Sequence, residues 1–508
     1  MTAWLFRAAS SKVLTVLLLL SFAAQAVWVA VVARQSIYDE GYHLRSIQAF
    51  AGSWTPFIEQ DPSIHGVGDL ERYPSYLYHF LMSFPFRWST GMGAEGQMVL
   101  LRVLSVAMVV AGLEVWRRVV RAMGAGPALA NGVLLAVVLQ SLLVFSAAGV
   151  SYDSLLFLVT AAFTLVAVRL FHSDAFDPVL WLVLAGLTGL AGVTKYSVLP
   201  YLVVVVLAVL VRQVVVISRS RSRRDPARPA GARAAHRPVT LAAAGLVALT
   251  GVALALERYG LNVLRFGTPM PDCRQVQNLS TCLEWSPWKR NLLTDAQFPD
   301  AALSGQLVVQ YVTEQWIPRM LRYSTLIGVA GDPSLRTWGP HVLGLLVTIT
   351  TALVVLGVIV LLPWLRRRPA TLMLLAGVLV FTAVLFVTNM QLWLRTGEPA
   401  SIQGRYLLTF SPIVAGALGI GLSAALRGAL RTKLALLALV CVLATQGGGV
   451  MQFLVVSTPQ WWVDQPSLVS VQSRLASVAR DVVLPDSVVQ DPRDTWLAPA
   501  SPGRPVRE

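Results

Sequence analysis

Four short stretches hold the residues best suited to chemistry. Tyr38-Asp39-Glu40-Gly41-Tyr42-His43 sets two adjacent carboxylates near an imidazole. Asp153 closes the run Gly149-Val150-Ser151-Tyr152-Asp153, Lys195 stands in an otherwise apolar hairpin, and Arg405 lies in Gln403-Gly404-Arg405-Tyr406. A carboxylate can serve as a general base, a metal ligand or an acceptor for a sugar hydroxyl. Lysine and arginine bind phosphate, arginine through its planar fork. A helix N-terminus beside Arg405 would add oriented N–H donors. Each group also has an ordinary reading: a solvated interfacial acid, a helix N-cap at Asp153, a snorkelling cation at Lys195 or Arg405. The first region continues with Glu59, Asp61, His65, Asp69, Glu71 and Arg72, then Tyr73-Pro74-Ser75-Tyr76. Its aromatic rings can stack on sugars, but individually they read as interface anchors.

The elements that must position these groups are membrane spans. The 508 residues are 55% hydrophobic and only 13% charged, with mean hydropathy +0.63. A spanning helix needs roughly 20 apolar residues, and such runs recur throughout. Lipid offers backbone groups no partner, so spans are helices or closed barrels. Long unbroken apolar runs exclude the barrel, which alternates apolar and polar residues in short strands. The expected fold is all-α and integral to the membrane, a bundle of about eleven helices. The spans are placed at 13–33, 97–115, 128–147, 154–171, 178–193, 197–217, 239–256, 340–363, 371–389, 406–426 and 434–456. Two long outer segments, 34–96 and 257–337, interrupt them, and Tyr76–Trp88 within the first reads as an interfacial or re-entrant helix.

Sidedness follows from the basic residues. Arg7 and Lys12, Arg117, Arg118 and Arg121, the Arg-rich stretch 219–237, Arg366-Arg367-Arg368, and Arg427, Arg431 and Lys433 all fall on one side of this alternation. By the positive-inside rule that side is cytoplasmic. The N-terminus is then cytoplasmic and the tail 457–508 lies outside. Residues 1–33 resemble a signal peptide at first, but their apolar run is long enough to span and reads as a retained anchor. The segment 219–237 has almost nothing to bury and reads as a disordered linker. A sequence pI of about 10.3 therefore reflects topology, and nucleic-acid binding is not expected. Under this topology all four chemical stretches land on the outer face. Carboxylates and separate cations on one face suit an anionic, membrane-embedded donor and a hydroxyl acceptor.

These residues resemble the GT-C superfamily of membrane glycosyltransferases, through the Asp39-Glu40 pair in the first outer loop, the many spans and a second acid in an outer loop. More narrowly, Asp-Glu-x-x-His at Asp39, Glu40 and His43, Gly-Val-Ser-Tyr-Asp ending at Asp153, Thr194-Lys195, and Gly404-Arg405-Tyr406 resemble a bacterial membrane-protein family of unknown function with GT-C-like features. The resemblance implies transfer of a sugar from a polyprenyl-phosphate-type donor to an envelope glycan, lipid or protein acceptor, in a bacterial plasma membrane. It implies Asp39 or Glu40 as the catalytic carboxylate, Lys195 and Arg405 on the donor phosphate, and Asp153 as a second acid. His43, Glu71 and Tyr406 complete the expected substrate-binding set. Metal dependence varies across the superfamily, so a divalent metal stays open and no ligand is assigned. The competing readings are a transporter or flippase for a lipid-linked or anionic solute and a non-catalytic envelope-assembly protein.

Three cysteines complete the reading. Cys441 lies in an apolar run, and Cys273 and Cys282 are close enough in one outer loop to form a disulfide in an oxidising compartment. Gln306–Arg322 has helical apolar spacing that suits either a helix on the membrane or one packed on the outer segment.

Overall fold

The computed structural model describes residues 7–34, 39–59, 62–222, 238–297, 305–324, 342–397, 399, 401–426, 448–457 and 461–483. Tyr38, Asp61, the greater part of the basic linker, Cys441 and most of the span expected at 434–456 lie outside the described residues.

The named elements are helices throughout. Up to the second outer segment the chain forms α1 (Lys12–Val32), α2 (Glu40–Ala51), α3 (Leu77–Trp88), α4 (Gly93–Ala122), α5 (Pro127–Val138), α6 (Ser141–Ala147), α7 (Tyr152–His172), α8 (Pro178–Thr194), α9 (Leu199–Ser222) and α10 (Pro238–Ala255). After the second outer segment come α11 (Val342–Leu365), α12 (Pro369–Thr396), α13 (Ser411–Ala425), α14 (Val450–Val456) and α15 (Pro466–Val483). Among the described residues, seven helices are long and apolar enough to cross a bilayer, or eight if the bent pair α5–α6 counts as one. Val13, Leu17 and Leu20 on α1 and Val203, Leu207 and Leu210 on α9 are exposed, as lipid-facing side chains must be when no water competes for them. The chain is a helical, multi-pass membrane protein.

Capping explains several boundaries. The Ser11 side chain accepts from Leu14 N–H at the start of α1, and Asp177 does the same for Leu180 before Pro178 opens α8. These bonds satisfy amide donors that the first helical turn leaves over. Between helices, lipid removes the hydrophobic drive, so close van der Waals packing decides association. The pair α8–α10 uses glycine for this: a Cβ on Gly186, Gly189 or Gly251 would collide with the facing backbone.

The run 128–147 does not form one straight span. It breaks at Leu139–Gln140 into α5 and α6, bent by 69°. Gln140 adopts an extended backbone, and the opened turn finds tertiary partners. The Leu139 carbonyl accepts from Gly449 N–H at 2.8 Å, and Ser411 Oγ lies 3.0 Å from Gln140 Oε1. A hydropathy window averages over the polar pair Gln140-Ser141 at the break, so the run still reads as one span. Elsewhere α4 is longer than expected, and part of the tail forms α15.

In the second outer segment, Cys273 and Cys282 are joined in a disulfide with Cα atoms 5.8 Å apart. Trp285 lies over Gly68, leaving no room for a side chain there. This docks the second outer segment on the first. Residues 305–322 form a helix with a π-turn at Tyr311–Trp316. Its aromatic residues pack on α12: Tyr311 stacks on Trp393 at 4.9 Å, and Trp316 meets Phe386 edge-on at 5.2 Å.

Candidate active site at the outer ends of the spans

The two adjacent acids are separated by the fold. Asp39 takes a left-handed backbone, φ 43°, which a short polar side chain tolerates better than most. The helix α2 starts at the next residue, so successive side chains point in different directions. Glu40 is fully buried, whereas the Asp39 side chain is 69% exposed.

Glu40 is held from three directions. Arg102, inside α4, donates from Nε to Glu40 Oε1 at 2.9 Å and from Nη2 to Oε2 at 2.7 Å. The Val150 N–H donates to Oε1 at 2.8 Å. Arg102 spends its other donors on the Ala30, Ala33 and Arg34 carbonyls, at 2.9, 2.6 and 3.2 Å. Those carbonyls belong to the end of α1, where intrahelical partners run out. One buried ion pair thus ties together α1, α2, α4 and the loop that presents Asp153. Glu40 is thus engaged within the fold, and Asp39 is the accessible member of the expected catalytic pair.

Asp153 sits in the first turn of α7. Ser151 caps that turn by accepting from the Asp153 N–H at 3.2 Å. Lys195 ends α8 and enters extended backbone, so its side chain leaves the helix axis. Its Nζ donates to Asp153 Oδ1 at 2.6 Å and sits 4.5 Å and 4.6 Å from the ring centres of Tyr152 and Tyr406. The turn after Lys195 is fixed by Tyr196 N–H donating to Ser75 Oγ and Tyr76 N–H donating to the Val193 carbonyl.

Arg405 reaches the same place from the far end of the sequence. It lies on a 3-10 helix, Gly404–Phe410, that precedes α13. The expected α-helix N-terminus is therefore not beside it, because α13 begins only at Ser411. Gly404 is pressed against the Met320 carbonyl and the backbone at Tyr323–Ser324, a contact no Cβ would permit. Arg405 Nη2 lies 3.3 Å from Asp39 Oδ2. The result is a chain of alternating charge: Asp39 and Arg405, then Asp153 and Lys195.

Two small recesses lie along this chain, each with room for about one water molecule. One is lined by Asp153 and Arg405 together with Val109, Leu143, Phe157 and Leu408. The other is lined by Asp153, Lys195 and Tyr406 together with Leu156, Phe381 and Phe410. Both place charged groups beside apolar side chains of neighbouring helices.

His43 stands beside the charged mouth. Its Nδ1 is 2.8 Å from His79 Nε2, the two rings stack at 5.1 Å, and Tyr152 meets His43 edge-on at 4.6 Å. Burial drives the His43 pKa well below its ordinary value, helped by His79 and the positive charges of Arg405 and Lys195. Burial likewise brings His79 down to about 3. Both rings are then neutral near pH 7, so one ring's N–H donates to the other's lone pair. Burial also pushes the Tyr42 phenol up to about 12 and Tyr73 well above its usual value, keeping both as neutral O–H donors.

The fold brings Asp39, His43, Asp153, Lys195, Arg405 and Tyr406 into one region. Glu71 lies beside Asp69, in the turn leading to a second buried cluster. There Arg72 bonds Glu257 and Asn262 at 3.0 and 2.8 Å, and Arg258 lies 4.3 Å from the Tyr76 ring centre. Burial raises the pKa of Asp69 in that cluster. Sequence reasoning missed Arg102, His79 and Tyr196, gave Tyr42 and Tyr152 no role of their own, and read Tyr73 as an interface anchor. For Arg102 a signal existed: an arginine inside an apolar span is costly and needs a partner. Among the described residues no group of three or more His, Cys, Asp or Glu side chains is arranged to hold a metal ion. No known family model matches this sequence, and no curated protein does either.

Proposed function

We propose that this chain is a GT-C-like membrane glycosyltransferase that moves a sugar from a polyprenyl-phosphate-type donor to an envelope glycan, lipid or protein acceptor. The observation that carries this reading is the union of Arg405, Lys195 and two carboxylates beside apolar side chains between helices. A lipid-linked phosphate needs both halves of that arrangement, cations for its head and apolar walls for its chain. In the proposed reaction Asp39 takes the proton from an acceptor hydroxyl as that oxygen attacks the anomeric carbon. The bond from that carbon to the phosphate oxygen breaks, and Arg405 and Lys195 stabilise the charge left on the phosphate. One displacement inverts the anomeric configuration. Asp153 holds Lys195 until phosphate arrives, and the tyrosine rings offer faces and O–H groups to the sugar.

Eleven spans, a cytoplasmic N-terminus, an outer-face site and a bacterial plasma membrane belong to the same proposal, supported by the one-sided basic clusters. Reconstitution with synthetic polyprenyl-phosphate sugars, followed by product analysis, tests it. Formation of a new glycosidic bond is expected, and no bond cleavage with any donor overturns it. The α5–α6 break favours one rival, since transporters build sites from discontinuous helices. Movement of an intact lipid-linked solute across the vesicle in the same assay would establish that rival.

A further inference from the structure

The helix α15 divides into three faces. Successive residues turn by roughly 100° around an α-helix, so Gln472, Ala476 and Ala479 share one side. All three are buried, where α15 packs on α14. Ser470, Ser473, Arg474 and Ser477 occupy a second side and are exposed. Between them runs a third stripe, Val471, Leu475 and Val478, exposed by 46%, 41% and 61%. Water is a poor solvent for such a stripe, and its position between a protein-facing side and a polar side is the pattern of a helix lying in a bilayer interface.

The level at which α15 begins identifies its neighbour. Arg34 N–H donates to the Trp461 carbonyl at 2.7 Å, and Val463 N–H donates to the Val32 carbonyl at 2.8 Å. This two-way pairing pins residues 461–463 to the end of α1, where the apolar run of that span stops. Three residues later α15 starts, so it emerges at the bilayer boundary on the face that holds Asp39.

We propose that α15 is a membrane-surface helix whose Val471–Leu475–Val478 stripe inserts among the lipids of that leaflet. Apolar burial drives the contact, because the helix holds only Arg474, Arg480 and Asp481 as charged residues, a net charge of +1. Anionic lipid and salt therefore have little effect on it. The inference is independent of the chemistry at the site.

The full chain in nanodiscs tests this. In a Cys441→Ser background, single cysteines replace Val471, Leu475, Val478, Ser473 or Ser477 and carry a fluorophore. With brominated lipid, quenching at least threefold stronger at the first three positions is expected, in zwitterionic and anionic nanodiscs alike. Equal quenching at all five, or none at the stripe, overturns the proposal. So does efficient disulfide crosslinking of Leu475→Cys between two copies in place of quenching, which would make the stripe a protein interface. The triple change V471S/L475S/V478S provides a second readout: amide exchange across α15 should speed up about tenfold, and unchanged exchange overturns the proposal.

Discussion

Two ion pairs only one residue apart in sequence have opposite characters. Glu40–Arg102 is sealed from solvent, bidentate and surrounded by further hydrogen bonds. Asp39–Arg405 is a 3.3 Å contact between an acid that is 69% exposed and an arginine that is 11% exposed. A sealed pair repays the loss of hydration only when every donor and acceptor is used, and such a pair resists any change of partner. An open pair is weak, screened and easily exchanged for another anion. The difference assigns scaffold duty to Glu40 and leaves Asp39 and Arg405 able to respond to a ligand.

The largest expected effect tests the sealed side. Arg102→Ala leaves Glu40 charged and buried, and strips the carbonyls at the end of α1 of their donor. A loss of about 3–5 kcal/mol is expected, read as denaturant-induced unfolding in nanodiscs; a loss below about 1 kcal/mol would place Arg102 with the weak pairs.

Next is chemistry on the open side. Asp39→Asn should slow sugar transfer by about 100-fold or more while the unfolding midpoint barely moves. Unchanged transfer would remove Asp39 from the base role and return attention to Asp153.

A smaller effect comes from the buried imidazole pair next to both. The His79 pKa is about 3 in the fold, against about 6.5 unfolded. Between these values the unfolded chain binds the extra proton, so stability rises with pH there and is fully present above about pH 6.5. His79 alone should then destabilise the protein by about 1.4 kcal/mol per pH unit as pH falls from 6 toward 4, and His43, lowered by the same burial, adds to that slope. His79→Gln should reduce the slope by about that amount in a pH series of unfolding curves. An identical slope would show that other groups carry the acid sensitivity.

The smallest effect sharpens the contrast. Arg405→Lys keeps the charge but loses the planar fork, and should change stability by less than about 1 kcal/mol. If the phosphate role holds, the same variant should still weaken binding of a polyprenyl phosphate, measured by titration.

Much of the architecture was legible in sequence because lipid imposes one rule on every span. Among the described residues, apolar runs became helices at nearly the expected places, and the hairpin with Thr194-Lys195 at its tip formed between α8 and α9. The α5–α6 bend was not legible, since its partners Gly449 and Ser411 lie hundreds of residues away. Lys195 appeared to lack an acid because Asp153 is 42 positions distant and meets it only across two helices. The pairing of Arg72 with Glu257, 185 positions away, was equally invisible in the sequence.

The sequence by itself determined the solvent of this protein, the helical class, and the residue types available at one face. Those follow from composition and local hydropathy, which need no knowledge of neighbours. Only the tertiary structure decided which carboxylate is sealed and which is open. Asp39 and Glu40 are chemically near-identical, and their difference arises from a left-handed turn at Asp39 and an arginine 62 residues away from Glu40. Burial and partner choice are properties of the packed chain, because they depend on atoms that sequence proximity does not bring together.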